Sequence, residues 1–124
     1  MKLWIDDVRP APDGYVWVKS VHSAKIYCCQ NIDPHHLLRI EEFHLDHDAG
    51  DYQYDGGDYI ELLKWLEEKQ YLSHWKIEAI FQFHSMNPVG VDNMKRICHK
   101  NGWRTICVYI TLTQKQKRMP PKIV

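Results

Sequence analysis

The residues of this sequence best suited to chemistry fall in three short clusters, each directly after an apolar run. Asp6-Asp7-Val8-Arg9-Pro10 follows Leu3 to Ile5, Asp46-His47-Asp48 follows Ile40 to Leu45, and His84-Ser85-Met86-Asn87-Pro88 follows Ile77 to Phe83. Two adjacent carboxylates at the end of an apolar segment repel unless a cation or basic group stands between them, so Asp6 and Asp7 are candidate metal ligands. Asp46 and Asp48 add two more carboxylates, and a set dominated by oxygen suits magnesium or manganese better than zinc. Imidazole is the side chain best placed to move protons near neutral pH, which makes His47 and His84 a candidate acid and base pair. Asn87-Pro88 reads as a helix N-cap with proline at the first helical position. The free N–H groups of that helix end would favour a phosphate, with Gly90 keeping the approach open and Arg9 able to make a bidentate contact. Carboxylates, imidazoles, an arginine and a helix N-terminus together suit a phosphoester.

The clusters can act together only if the fold converges them. Five segments rich in β-branched and aromatic residues read as strands: Leu3 to Ile5, Tyr15 to Lys19, Ile40 to Leu45, Ile77 to Phe83 and Thr105 to Leu112. Three helical patterns lie among them. One follows Ser20 and places Val21, Ala24 and Cys28 inward. A second starts at Asp58, with Glu61 completing a capping box and Tyr59, Leu62, Leu63 and Leu66 on one face. A third carries Val91, Met94 and Cys98 and stops at Asn101-Gly102. Strands alternating with helices imply an α/β fold with a mainly parallel sheet, whose ligands bind where loops leave the carboxyl ends of the strands. All three clusters leave strands at that edge. The connection from Asp7 to Gly14 holds two prolines and is too short for a helical crossover, which leaves the position of the strand at Tyr15 to Lys19 open. Gly56-Gly57 lacks the Lys-Ser/Thr of a phosphate loop and reads as a flexible link. Ala49 to Asp58, with Tyr52 and Tyr54, reads as a lid able to stack on a base or sugar.

Composition bounds the function classes. Among 124 residues, 16 Lys and Arg balance 16 Asp and Glu, with eight histidines; this neutrality argues against a protein whose main work is coating DNA. An apolar fraction of 44% in a chain of this length fits one globular domain. No apolar run reaches the roughly 18 residues that span a bilayer, and the start, with two early acids, does not resemble a secretory signal. A cytoplasmic protein without a membrane partner is expected. The cysteines, Cys28, Cys29, Cys98 and Cys107, show no C-x-x-C spacing and read as reduced thiols. Trp75 and Trp103 read as partly buried core residues. Residues 1–113 read as the domain and 114–124 as a basic flexible tail able to contact RNA.

The segments Ile5-Asp6-Asp7-Val8-Arg9-Pro10-Ala11-Pro12-Asp13-Gly14, Leu45-Asp46-His47-Asp48 and His84-Ser85-Met86-Asn87-Pro88-Val89-Gly90 resemble those of the cyclic-phosphate-processing receiver-like domains, relatives of two-component receivers. The resemblance spans most of residues 1–113. It implies a single-domain, receiver-like (flavodoxin-like) three-layer sandwich on a five-stranded sheet. It also implies a role in handling a cyclic phosphate, on a nucleotide or an RNA end. Asp6 and Asp7 resemble the metal-binding acid pair of receivers, Asp46 the phosphoacceptor aspartate, and Ser85 the hydroxyl residue after the fourth strand. Two departures stand out. Receivers place a lysine after the fifth strand, where this chain has Thr111, Leu112 and Thr113 with Lys115 beyond, and His47 and His84 are not receiver features. Both favour acid–base catalysis over stable aspartyl phosphorylation. The expected function is therefore phosphoesterase-type processing of a cyclic phosphate with a divalent cation (magnesium or manganese). His47, His84, Asp46 and Ser85 would be catalytic, Arg9, Asn87 and Gly90 would hold the phosphate, and Asp6, Asp7, Asp46 and Asp48 would hold the cation. The alternative is a receiver-like module that binds a phosphorylated ligand or a partner protein without chemistry.

Overall fold

Leu3, Ile5, Phe43, Leu45, Phe81 and Phe83 recur at every second position, and in extended backbone such residues share one face of a sheet. All six are buried. The structure, a computed structural model, describes residues 1–107. In it β1 (Lys2–Ile5), β2 (Val16–Val18), β3 (Glu42–Leu45), β4 (Ile80–Phe83) and β5 (Arg104–Cys107) form an all-parallel sheet in the order β2-β1-β3-β4-β5. Helices α1 (Val21–Gln30), α2 (Ile60–Leu72) and α3 (Pro88–Lys100) lie in the connections after β2, β3 and β4. These connections all run in the same direction across the sheet, so their usual common hand puts the helices on one face. There α1 packs on α2 and α2 on α3. Val21, Ala24 and Cys28 from α1, Leu62, Leu63 and Leu66 from α2, and Val91, Met94 and Cys98 from α3 close the core over the apolar face. This is the receiver-type α/β fold. A further layer on the opposite face is not among the described residues.

The β1-to-β2 link, open in the sequence, is resolved as a helix-free crossover that sets β2 beside β1 at the sheet edge. Side chains supply the bonds that a helix would make internally. The Trp4 indole N–H donates to the Arg9 carbonyl and the Trp17 indole N–H to the Asp6 carbonyl, both at 2.8 Å, while Asp6 Oδ1 accepts from the backbone N–H groups of Val8 and Arg9, both at 2.9 Å.

The caps of α1 and α3 form as expected. Ser20 accepts from the Ser23 N–H and Asn87 from the Gly90 N–H, and Gly102 ends α3 at φ +74°. Three expectations need correction. Ile40 and Ile77–Ala79 precede their strands, because register begins only at Glu42 and Ile80. Asp58 does not cap α2: the helix starts one residue later, without a side-chain cap, because both Asp58 oxygens are committed to the preceding loop, accepting from the Ala49 N–H and Gln53 Nε2. Gly56-Gly57 is not a loose link either. Gly56 holds φ +115° against α1, where the His22 N–H donates to the Asp55 carbonyl and the Ser20 hydroxyl to Asp55 Oδ2. The segment read as a lid is thus fastened at its middle and its end. Trp75 and Trp103 are buried, Cys28, Cys29 and Cys98 are free thiols, and the expected continuation of β5 to Leu112 and the basic tail lie outside the described residues. Among the described residues no helix is long and apolar enough to cross a membrane.

Candidate functional site

Each of the three central strands ends by extending its ladder one residue into the site. The Asp6 N–H donates to the Val18 carbonyl, the Asp46 N–H to the Ile5 carbonyl and the His84 N–H to the Leu45 carbonyl. Asp6, Asp46 and His84 therefore stand side by side at the carboxyl edge, and one ligand atom from each lies within 4.8 Å of the others. Asp6 is fully buried and its Oδ2 lies 2.6 Å from His84 Nε2. Burial by itself would push the Asp6 carboxyl up, but the N–H groups of Arg9 and Val8 and the His84 ring more than offset it and hold the pKa below the ordinary range. Burial drives the His84 pKa down, opposed by the Asp6 and Asp46 charges. Burial thus favours the neutral ring, and a neutral imidazole facing the Asp6 carboxylate would donate from Nε2 and leave Nδ1 unprotonated. His84 lies flat on the Trp4 indole, with ring centroids 4.3 Å apart, and edge-on to His44. Its Nδ1 is buried without a hydrogen-bond partner among the described residues.

Asp7 carries the electrostatic strain of this edge. Burial raises its pKa, and the charges of Asp6 and Asp46 raise it further. Gly50 makes room for it, since a Cβ there would meet Asp7 Oδ2. Three crowded carboxylates with an imidazole beside them fit a hard divalent cation that keeps several waters. Asp7→Asn removes one of the repelling charges. It is expected to raise the thermal midpoint of the metal-free protein by a few degrees, for about 1 kcal/mol of relieved repulsion, and, where added manganese or magnesium raises the midpoint of the native chain, to shrink that rise. Thermal denaturation with chelator and with cation checks both halves.

His47 belongs to a second group. Its Nδ1 lies 2.7 Å from Asp48 Oδ1, its backbone N–H donates to Asp46 Oδ1 at 2.7 Å, and Asn87 Nδ2 approaches both the ring and Asp48 at 3.4 and 3.5 Å. His47, Asp48 and Asp58 offer ligand atoms within 4.8 Å of one another. The expected His47–His84 pair is thus divided between two clusters, as is the expected ligand set, with Asp48 grouped with His47. At Gly90 a Cβ would come 2.5 Å from the His47 ring, so the missing side chain seats the imidazole against the first turn of α3. Ser85 is buried and its Oγ accepts the Asn87 N–H at 3.0 Å, bracing the turn into α3. Arg9 crosses to β4 and donates from Nη1 to the His84 carbonyl at 3.1 Å, its side chain half exposed. Sequence reasoning missed Asp58, hidden behind its capping pattern, and the Trp4–His44 bed beneath His84. Strand alternation alone puts Trp4 and His44 on one face, and that was the available signal.

A parallel sheet in the order 2-1-3-4-5 with an acid pair after β1 and an aspartate after β3 defines a receiver-type domain. The chain belongs to the family described as the cyclic-phosphate processing receiver domain, whose model matches residues 1–100. No curated protein is significantly similar to the chain. The same holds for solved structures.

Proposed function

We propose that the protein is a phosphoesterase that opens a cyclic phosphate carried by a nucleotide or an RNA end, using a magnesium or manganese ion. The observation that carries this reading is the convergence of Asp6, Asp46 and His84 within 4.8 Å, in a family described by cyclic-phosphate processing. Asp6 and Asp46, with Asp7 beside them, would hold the cation, which when bound supplies charge neutralisation to the phosphate. The N-terminal turn of α3 and the Arg9 guanidinium supply positive potential for the phosphoryl oxygens.

The two histidines divide the remaining work. In the tautomer that donates from Nδ1 to Asp48, the Nε2 lone pair of His47 is free to take a proton from water as its oxygen bonds to phosphorus, and to return it to the alkoxide released as the ring P–O bond breaks. His84 has Nε2 committed to Asp6 and its ring packed against both Trp4 and His44, so it acts as a positioning residue that fixes the carboxylate. Asp46, adjacent to His47, anchors the backbone of that residue through its N–H. Residues 1–113 form the working unit in this reading, in a cytoplasmic protein.

Incubation with 2′,3′-cyclic and 3′,5′-cyclic nucleotides plus manganese or magnesium tests the reading. Ring opening is expected with one class, reduced about 10²–10⁴-fold in His47→Ala, the usual worth of a general base. Ligand bound tightly but recovered unchanged, or turnover equal in an Asp46→Asn, His47→Ala double variant, overturns it in favour of a binding module.

A further inference from the structure

Beside the acid cluster a groove opens that the phosphate chemistry does not use. It is lined by Trp17 and Lys19 from the end of β2, Ser23 and Tyr27 from α1, and Tyr52 and Tyr54 from the loop after β3. We propose that this groove is a nucleobase-binding subsite, so that the ligand is a nucleotide or the terminal nucleotide of an RNA and not a cyclic phosphate on a bare sugar or polyol. The proposal rests on the phosphoesterase reading for the position of the phosphate, and it deepens that reading by assigning the surface that takes the base of the nucleotide.

Three observations carry it. The first is the type and exposure of the rings: Trp17 is 37% and Tyr54 84% exposed, and exposed aromatic faces are the usual platforms on which bases stack. The second is charge. Lys19 lies half-buried over the Trp17 ring, with Nζ 4.5 Å from its centroid, and within 5.7 Å of the Tyr52 centroid, yet it forms no ion pair among the described residues. A cation held by aromatic faces and lacking a carboxylate complements an anionic group, as a nucleotide chain supplies. Asp55, the acid of the groove, is already engaged by the Ser20 hydroxyl. The third is continuity. The Trp17 indole N–H donates to the Asp6 carbonyl and the Tyr59 hydroxyl to the Lys19 carbonyl, so the groove wall is bonded directly to the backbone of the residue at the centre of the acid cluster. The loop that carries Tyr52 and Tyr54 is fastened to α1 by the His22–Asp55 and Ser20–Asp55 bonds, so the platform is set before any ligand arrives, which reduces the ordering that binding requires.

The test is calorimetric titration of the full chain with adenosine 3′-monophosphate and with ribose 3-phosphate, the same phosphate without a base. The native chain is expected to bind the nucleotide about tenfold or more tightly than the abasic ligand, the worth of one stacked base. Tyr54→Ala removes a mostly exposed ring and no core contact; it is expected to reduce that gap severalfold while leaving ribose 3-phosphate affinity unchanged. Lys19→Gln, whose backbone bond to Tyr59 survives, is expected to flatten the salt dependence of nucleotide binding. A trinucleotide ending in 3′-phosphate that binds more tightly than the mononucleotide assigns the groove to an RNA end; equal affinity assigns it to a free nucleotide. Equal affinity of the native chain for nucleotide and abasic ligand, or equal losses for both in Tyr54→Ala, overturns the proposal. Because the readout is binding, its failure is separable from that of the phosphoesterase reading: ring opening without base preference leaves the chemistry and removes the groove, and base preference without ring opening does the reverse.

Discussion

Asp6→Ala is expected to cost the fold about 3–5 kcal/mol, the range for breaking a buried, hydrogen-bonded charge arrangement from one side, and, on the proposed function, to abolish cation binding. Asp6 is fully buried and accepts from the N–H groups of Val8 and Arg9 and from His84 Nε2. Truncation strands all three donors, each worth about 1–3 kcal/mol when buried without a partner. Asp6→Asn separates stability from chemistry. The amide oxygen can keep the Val8 and Arg9 bonds, and the amide N–H₂ can donate to His84 Nε2 if the imidazole proton moves to Nδ1. That nitrogen has no partner among the described residues to lose, so the tautomer change breaks nothing. Asn should therefore cost only about 1 kcal/mol while still removing the charge that a divalent cation needs. Urea denaturation of both variants, with and without manganese, is the measurement. Equal stability losses in the two would contradict the tautomer argument.

The same neighbourhood sets the acid limb of the stability profile. His44 lies edge-on to Trp4 and His84 with both ring nitrogens buried and unpartnered among the described residues, and burial brings its pKa down to about 4. In the unfolded chain it protonates near 6.5, so between those values the unfolded state binds more protons and stability falls as pH falls. The loss across that window is up to about 3 kcal/mol at ~1.4 kcal/mol per pKa unit. The depressed pKa of Asp6 has the same sign in a lower window: its contribution is present above the unfolded carboxylate value and lost as pH falls through the folded one. His84, whose pKa burial also lowers, adds a loss of the same sign below the unfolded histidine value, so His44→Phe should shrink the upper part of the acid-side loss in denaturation free energy and leave the lower, carboxylate part in place.

How much of this was legible in the sequence follows from which interactions are local. The apolar alternation of Leu3 and Ile5, Phe43 and Leu45, Phe81 and Phe83, and the caps at Ser20 and Asn87, involve residues a few positions apart, so strands, helices and the receiver-type architecture could be read directly. The convergence of Asp6, Asp46 and His84 was readable because a parallel sheet gathers the carboxyl ends of its strands. The division of labour between the histidines was not, because it depends on which groups the fold brings against each ring: Asp48, Asn87 and Gly90 around His47, Asp6 and Trp4 around His84. Asp58 shows the same limit from the other side. Its spacing to Glu61 is that of a capping box, and only the tertiary position of Ala49 and Gln53 draws its oxygens away from α2.

Gly56→Ala is the second large effect expected, about 3 kcal/mol or more. Gly56 holds φ +115°, a conformation whose strain for a residue with a Cβ is of order 1–3 kcal/mol. The new Cβ would also lie 2.8 Å from the Val21 Cβ and 3.1 Å from the His22 backbone nitrogen, at the first turn of α1. Neither neighbour is the far end of a flexible side chain, since Val21 is fully buried and His22 N–H is bonded to the Asp55 carbonyl. Relief requires the loop to pull away from α1, which breaks that bond and the one from Ser20 to Asp55. Gly102→Ala is the internal control. Its φ of +74° carries comparable backbone strain, but a Cβ there meets nothing within 4 Å, so about 1 kcal/mol is expected, the usual worth of glycine over alanine after a helix end. The difference between the two variants in urea denaturation isolates the packing of the loop on α1. If Gly56→Ala were no more destabilising than Gly102→Ala, the loop bearing Tyr52 and Tyr54 would be free to lift, and the platform beside the acid cluster would not be preformed.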